Sequence, residues 1–236
     1  MKFIYANLGR GNAANVERSW ESLADAANDA DVDAAVVVEV DEGDKGYSDH
    51  GFARRFFKGW RLRFMRRMVV ILVNAKHKVA GATVTDAPNS AVKRWSPFRY
   101  VVELVIPTKR GPDVCVIGVH YAAGYKNGTR PSWARPLLAA SWLATRAVHR
   151  ARVRAANKRG QHSVTLMDCN DHSFDVKFLH PDAVTLFGPG GSDWGVAVPA
   201  PGYHVAWDSD SPVRTYVERF HQGHKITVNF KRDAGQ

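Results

Sequence analysis

The sequence predicts an α+β domain with sheets inside and helices outside. Three observations predict it. Apolar runs of strand length recur from one end of the chain to the other. Only two segments carry a clear helical period. Strand pairs joined by short turns fall in the middle and near the end, so the order is mixed and does not form a regular βαβ array. The 236 residues suit a single domain spanning 1–236. No repeat, low-complexity stretch or linker interrupts them.

The elements follow in chain order. "KFIYAN" reads as a short strand ending at Asn7, and "GRGNAAN" as a loop. Over 17–29 the residues Trp20, Leu23, Ala24 and Ala27 share one face, the spacing of an amphipathic helix. "DAAVVVEV" is a continuous apolar run broken by Glu39, as expected of a strand covered on both faces. Residues 51–67 combine seven Arg or Lys with Phe52, Phe56, Phe57, Trp60 and Phe64, and hold no acid. "MVVILV" is the next strand, with "VAGATVTD" expected to pair with it. "RYVVELVIP" and "DVCVIGVHY" read as a strand pair joined by the turn "TKRGPD". After the start signal "GTRPSWARP" a long helix is expected over 132–157. "SVTLMD" follows as a core strand, and "SDWGVAVP", "GYHVAW" and "HKITVNF" as short strands between Pro- and Gly-rich turns.

The bulk properties narrow the function. No apolar run approaches the ~20 residues needed to cross a membrane. The opening "MKFIYANLGRGN" lacks a small-residue cleavage site, so an intracellular, cytoplasmic protein is expected. Cys115 and Cys169 lie in or at the end of apolar runs and read as free thiols. The net charge of +10, from 33 basic and 23 acidic residues, favours polyanionic partners: nucleic acid, phosphorylated small molecules or an anionic membrane face.

Residues able to do metal or acid/base chemistry recur where apolar runs end. They are Asn7, Glu39, His120, Asp168 and Asn170, with Asp193 and His224 opening two later runs. Singly, a strand-end Asn or Asp is most often a turn former. A lone His is most often structural. Their recurrence in one order carries the signal.

That order resembles the endonuclease/exonuclease/phosphatase superfamily along nearly the whole chain. The matching motifs are the first-strand Asn7, Glu39 in "VVEVD", "HYAAG" from His120 to Gly124, "MDCN" for the usual "GDFN", "DWGVAV", and "QGHKITVNF" for a closing "SDH" strand. The resemblance implies a four-layer α/β sandwich, two packed mixed sheets flanked by helices, with the site at one end. It implies a Mg2+ or Mn2+ site using Glu39, with Asn7 orienting that carboxylate or a water. Asp168 would position or deprotonate the attacking water, and Asn170 would hold the phosphate. His224, oriented and kept basic by Asp193, would serve as base or bind phosphate, and His120 would donate to the phosphate or the leaving oxygen. A phosphodiester repels nucleophiles, which is why such chemistry uses a divalent cation.

Two departures fall on the metal side. Gly223 stands where the family often has an Asp, and Gly9 stands where some members carry another. Asp41, Asp44 or Asp171 are the candidates to compensate. The expected function is a metal-dependent phosphodiesterase, a nuclease acting on DNA or RNA. The alternatives are a phosphatase for small or lipid-linked phosphates, and a catalytically degenerate nucleic-acid or protein binder.

Two basic stretches bear on the partner. Arg54, Arg55, Lys58, Arg61, Arg63, Arg66 and Arg67 are the candidate nucleic-acid contacts, most of the neighbouring aromatics being expected to pack inward. The six Arg or Lys of "RAVHRARVRAANKR" are expected on a solvated outer helix face.

Overall fold

The computed structural model describes residues 1–9, 13–29, 31–40, 49–66, 68–87, 99–122, 132–188, 191–213 and 223–234; the side chains of 62–66, Ala87 and 209–213 are outside that description. The strands are β1 (Lys2–Asn7), β2 (Ala34–Val38), β3 (Trp60–Arg66), β4 (Val69–Asn74), β5 (Gly81–Ala87), β6 (Arg99–Ile106), β7 (Val114–His120), β8 (His162–Asp168), β9 (Val184–Phe187), β10 (Asp193–Val198), β11 (Tyr203–Val213) and β12 (Gly223–Arg232). The helices are α1 (Ala13–Asp29), α2 (Asp49–Phe56) and α3 (Arg135–Lys158). One mixed sheet runs β11-β12-β1-β2-β4-β3 and the other β5-β6-β7-β8-β10-β9.

Alternation along each strand builds the layers, because successive side chains point to opposite faces. On β1, Phe3 and Tyr5 enter the core between the sheets, while Ile4 and Ala6 pack with Val16, Trp20 and Leu23 of α1. On β7, Val114 and Val116 enter that central core, while Cys115 and Ile117 pack toward Trp142 and Val153 of α3. The result is α1 and α2, sheet, sheet, then α3: the four-layer sandwich. Both faces of the inner strands are covered, which is why they read as continuous apolar runs. The sheets approach closely at Gly118, where a Cβ would meet Val69 Cγ1 at 2.8 Å and Val36 Cγ1 at 3.0 Å.

Three features of the fold were not legible in the sequence. "VAGATVTD" does not pair with "MVVILV": β5 pairs with β6 in the second sheet, while β4 lies between β2 and β3 in the first. Sequence adjacency suggested a hairpin, and the packing of the two sheets splits it. The basic stretch over 51–67 is neither one helix nor one loop, being divided between α2 and the edge strand β3. The strand β9 carries no alternation strong enough to be read from sequence, and it forms by pairing with β10.

Candidate active site

The same alternation that fills the core delivers the polar residues. Asn7 follows Phe3 and Tyr5 at even spacing, His120 follows Val114 and Val116, and Asp168 follows Val164 and Leu166. Asp193 precedes Ala197, and His224 precedes Ile226 and Val228, again at even spacing. Each therefore points inward, between the sheets. β10 and β12 run antiparallel to β8 and β1, so their first residues reach the same end of the sandwich as the last residues of β1, β7 and β8. Register finishes the alignment: His120 stands beside Asp168, and Asp168 beside Asp193, on three adjacent strands.

Glu39 lies one residue past β2 and breaks the alternation. Its φ of 57° is left-handed, a conformation that a non-glycine residue holds at some expense and that recurs at functional sites. Asn170 has a similar φ of 51°. Its backbone N–H donates to Asp168 Oδ1 at 2.8 Å, and its amide donates to the Tyr121 carbonyl at 3.1 Å.

At the centre, His120 Nε2 lies 3.1 Å from Glu39 Oε1 and 3.3 Å from Asp168 Oδ2. The ligand atoms of these three residues fall within 4.8 Å of one another. His120 Nδ1 lies 2.5 Å from Arg99 Nη1. A guanidinium can only donate, so Arg99 makes Nδ1 the acceptor and puts the ring proton on Nε2, facing the two carboxylates. Burial and the Arg99 charge oppose protonation of this ring, whereas its bonds to Asp168 and Glu39 favour it, and the balance lies above the ordinary histidine value. Gaining the second proton requires Arg99 to leave Nδ1. Asp168 is fully buried, and burial raises its carboxyl above the ordinary range against the pull of His120, with Asp193 and Glu39 pushing the same way.

Asn7 ties two carboxylates together: its amide donates to Asp168 Oδ2 at 3.1 Å and to Asp193 Oδ1 at 3.2 Å. Its own Oδ1 accepts from the Gly9 N–H at 2.9 Å, an Asx turn closed by a glycine in the left-handed region.

The Asp193 charge acts on His224 in the direction expected, pulling its pKa up against burial, with no hydrogen bond between the two side chains. Asp193 Oδ1 accepts from the Tyr5 hydroxyl at 2.6 Å. Among the described residues, the His224 imidazole makes no hydrogen bond, its backbone pairing with β1. It stacks on Phe187, ring centroids 4.1 Å apart and planes within 16°. Burial lowers its pKa, outweighing the opposing charge of Asp193.

Three participants were missed from sequence. Tyr5 shared the inward face two residues before Asn7, so its signal was present. Arg99 had none, because only the β6–β7 register brings it to His120. Phe187 sits on the unread strand β9.

Among the described residues, none of the remaining candidates belongs to the Glu39, His120 and Asp168 cluster. Asp171 acts as a turn former, its Oδ1 accepting from the Ser173 N–H at 3.1 Å and hydroxyl at 2.9 Å. Arg54, Lys58 and Arg61 are exposed, and Arg55 pairs with Glu17 at 2.6 Å. Their aromatic neighbours Phe52, Phe56, Phe57 and Trp60 pack against the α1 side of the first sheet. By register Arg66 stands beside Val69, and Val69 beside Val38, at the site end, whereas Arg61 stands beside Val73, at the other. Arg67, Asp41, Asp44 and Gly124 lie outside the described residues, as do the side chains of Arg63 and Arg66. Among the described residues no helix is long and apolar enough to cross a membrane.

No family model matches the sequence, and no curated protein matches it. Solved structures do match. A truncated TDP2 from Caenorhabditis elegans superposes with a TM-score of 0.65 at 13% identity, over 96% of each chain. A mannosyl-6-phosphatase from Bacteroides thetaiotaomicron gives 0.66 at 11% identity, over 98% of this chain and 100% of that one. An endonuclease/exonuclease/phosphatase family protein from the same organism gives 0.63 at 11% identity, over 97% and 98%. The two six-stranded sheets, their flanking helices and these full-length superpositions together make the fold of this chain that of the endonuclease/exonuclease/phosphatase superfamily.

Proposed function

We propose that the protein is a divalent-metal-dependent phosphodiesterase, a nuclease that cleaves DNA or RNA with an activated water. The convergence of the Glu39 and Asp168 carboxylates on one point beside His120 Nε2, the three side chains offering atoms within 4.8 Å of one another, carries this reading. Glu39 and Asp168 offer the hard oxygen donors that Mg2+ or Mn2+ prefers, and two carboxylates sharing one imidazole have negative charge to spare. A cation bound there supplies neutralisation of phosphate charge.

The chain's own residues supply the rest. Asp168, buried and raised, is suited to take a proton from water. Asn7 holds Asp168 in place by its amide. Asn170, half-buried and fixed beside Asp168 by two hydrogen bonds, would hold the phosphate. His120 carries its proton on Nε2 and is placed to donate to the phosphate or the leaving oxygen. His224, neutral through burial, is available as base or phosphate contact. The net charge of +10 favours a polyanionic substrate.

Purified protein incubated with plasmid, single-stranded DNA and RNA, in Mg2+ or Mn2+, should cleave at least one of them, and EDTA should stop it. Asp168→Asn and Glu39→Gln should each lower turnover by about 10²-fold or more. A folded protein that cuts no nucleic acid in either metal sinks the nuclease reading. The superposed mannosyl-6-phosphatase supports a second reading, a phosphatase for small phosphates, so sugar phosphates belong in the same panel with phosphate release as readout.

A further inference from the structure

α3 runs from the site end of the second sheet to the far end. Trp142 Nε1 donates to the Cys169 carbonyl at 2.8 Å, His149 meets Thr165 at 3.1 Å, and Asn157 donates to the Pro199 carbonyl at 2.8 Å. Cys169 stands between Asp168 and Asn170, so Trp142 marks the level of the active site. Arg146 lies one turn further on, about 6 Å along the axis, and Arg150 another turn beyond.

These two arginines differ from the others of the helix. Arg152 and Arg159 both reach Glu103, at 3.9 and 2.6 Å. Arg154 is exposed. Arg146 and Arg150 are half-buried and meet no carboxylate among the described residues. Their Nε atoms are buried without a hydrogen-bond partner. Both guanidiniums lie over one ring, that of Phe178, at 3.7 Å for Arg146 and 4.5 Å for Arg150. Arg146 also lies 5.2 Å from Trp142 and 5.7 Å from Phe174, in the segment that follows Asn170. Two like charges four residues apart on a helix repel each other, and here aromatic faces hold them together.

We propose that Arg146 and Arg150, set on Phe178, form a phosphate-binding subsite for a nucleic-acid strand leaving the active site. The inference rests on the nuclease reading and adds to it where the strand goes. An anion between two guanidiniums relieves their repulsion, and each guanidinium presents paired N–H donors suited to phosphate oxygens. The aromatic bed holds the heads in place, so little freedom is lost on binding. The expectation of a solvated face remains for Arg154 and is replaced for this pair.

The test is fluorescence anisotropy with a labelled single-stranded oligodeoxynucleotide, in EDTA, across a KCl series. Arg146→Gln with Arg150→Gln should weaken binding roughly tenfold at moderate salt and reduce the salt slope by about 1.4, two phosphate contacts on a single strand. Arg146→Lys with Arg150→Lys keeps the charge and should retain most of the slope, which separates lost contacts from lost folding. Arg154→Gln should leave the slope unchanged. An unchanged slope in the Gln pair, or wild-type protein that does not bind the oligonucleotide, overturns the subsite. Because EDTA removes turnover, the two readings fail separately. Loss of slope in a protein that never cleaves leaves the subsite standing, and cleavage with an unchanged slope leaves the nuclease standing.

Discussion

Asn7 is the side chain on which two buried carboxylates depend, since its amide reaches both Asp168 and Asp193. Asn7→Ala removes one donor from each, and a hydrogen bond to a charged acceptor contributes about 1.5–3 kcal/mol even where, as here, other partners remain. The expected loss is about 2 kcal/mol of stability in urea denaturation, with turnover falling alongside. A variant as stable as the wild type would show that water replaces the amide at no expense. His224 gives a prediction in pH. Burial lowers its pKa, so it stays neutral below 6.5, the ordinary histidine value, and the acid limb of kcat/KM should lie below that point. Phe187→Ala uncovers the ring and should move that limb to higher pH. An acid limb that does not move assigns it to another group.

At the scale of elements, β9 and β10 act on the site through packing. A Cβ on Gly195 would lie 2.2 Å from Phe187 Cε1, so Gly195→Ala pushes that ring away. Overpacking of this kind costs about 1–3 kcal/mol. Phe187 lies against both His224 and Tyr5, so activity should fall although no candidate catalytic residue is altered. Melting temperature and kcat/KM together test this, and a destabilised variant of full activity would disconnect the strand from the site. The elements themselves were largely legible in sequence. Long apolar runs such as "AAVVV" and "VCVIGVH" announce covered strands, and α1 and α3 carry their period over many residues. β9, with four residues and two of them half-buried, has too short a pattern to announce anything. The partner of β5 was misread because pairing between strands is not encoded in either strand alone.

At the scale of the molecule, the second sheet and α3 are joined through a buried polar chain. The Tyr121 hydroxyl lies 2.7 Å from His149 Nδ1, and His149 Nε2 lies 3.1 Å from Thr165 Oγ1. Burial lowers the His149 pKa from 6.5 to about 3. The folded protein therefore binds a proton here less readily than the unfolded chain. Stability from this group is complete above 6.5 and is lost as pH falls from there toward about 3. At pH 5 the loss should be about 2 kcal/mol. Urea midpoints measured at both ends of this window should separate accordingly, and His149→Gln should flatten the difference. Equal pH dependence in the variant would place the acid sensitivity elsewhere.

The sequence by itself determined which side chains face inward. Period-two alternation is a local property, and it sets Asn7, His120, Asp168, Asp193 and His224 on the same strand face as the apolar residues two or four positions away. It also determined α1, α3 and the surplus of positive charge. Only the tertiary structure decided who touches whom. The antiparallel run of β10 and β12 brought chain positions nearly two hundred residues apart to one end. The left-handed turn at Glu39 swung an out-of-phase carboxylate onto His120, hairpin register delivered Arg99, and Asn7 went to two aspartates. Facing is set by neighbours in the chain, whereas contact is set by register and sheet packing, and these exist only once the whole chain has folded.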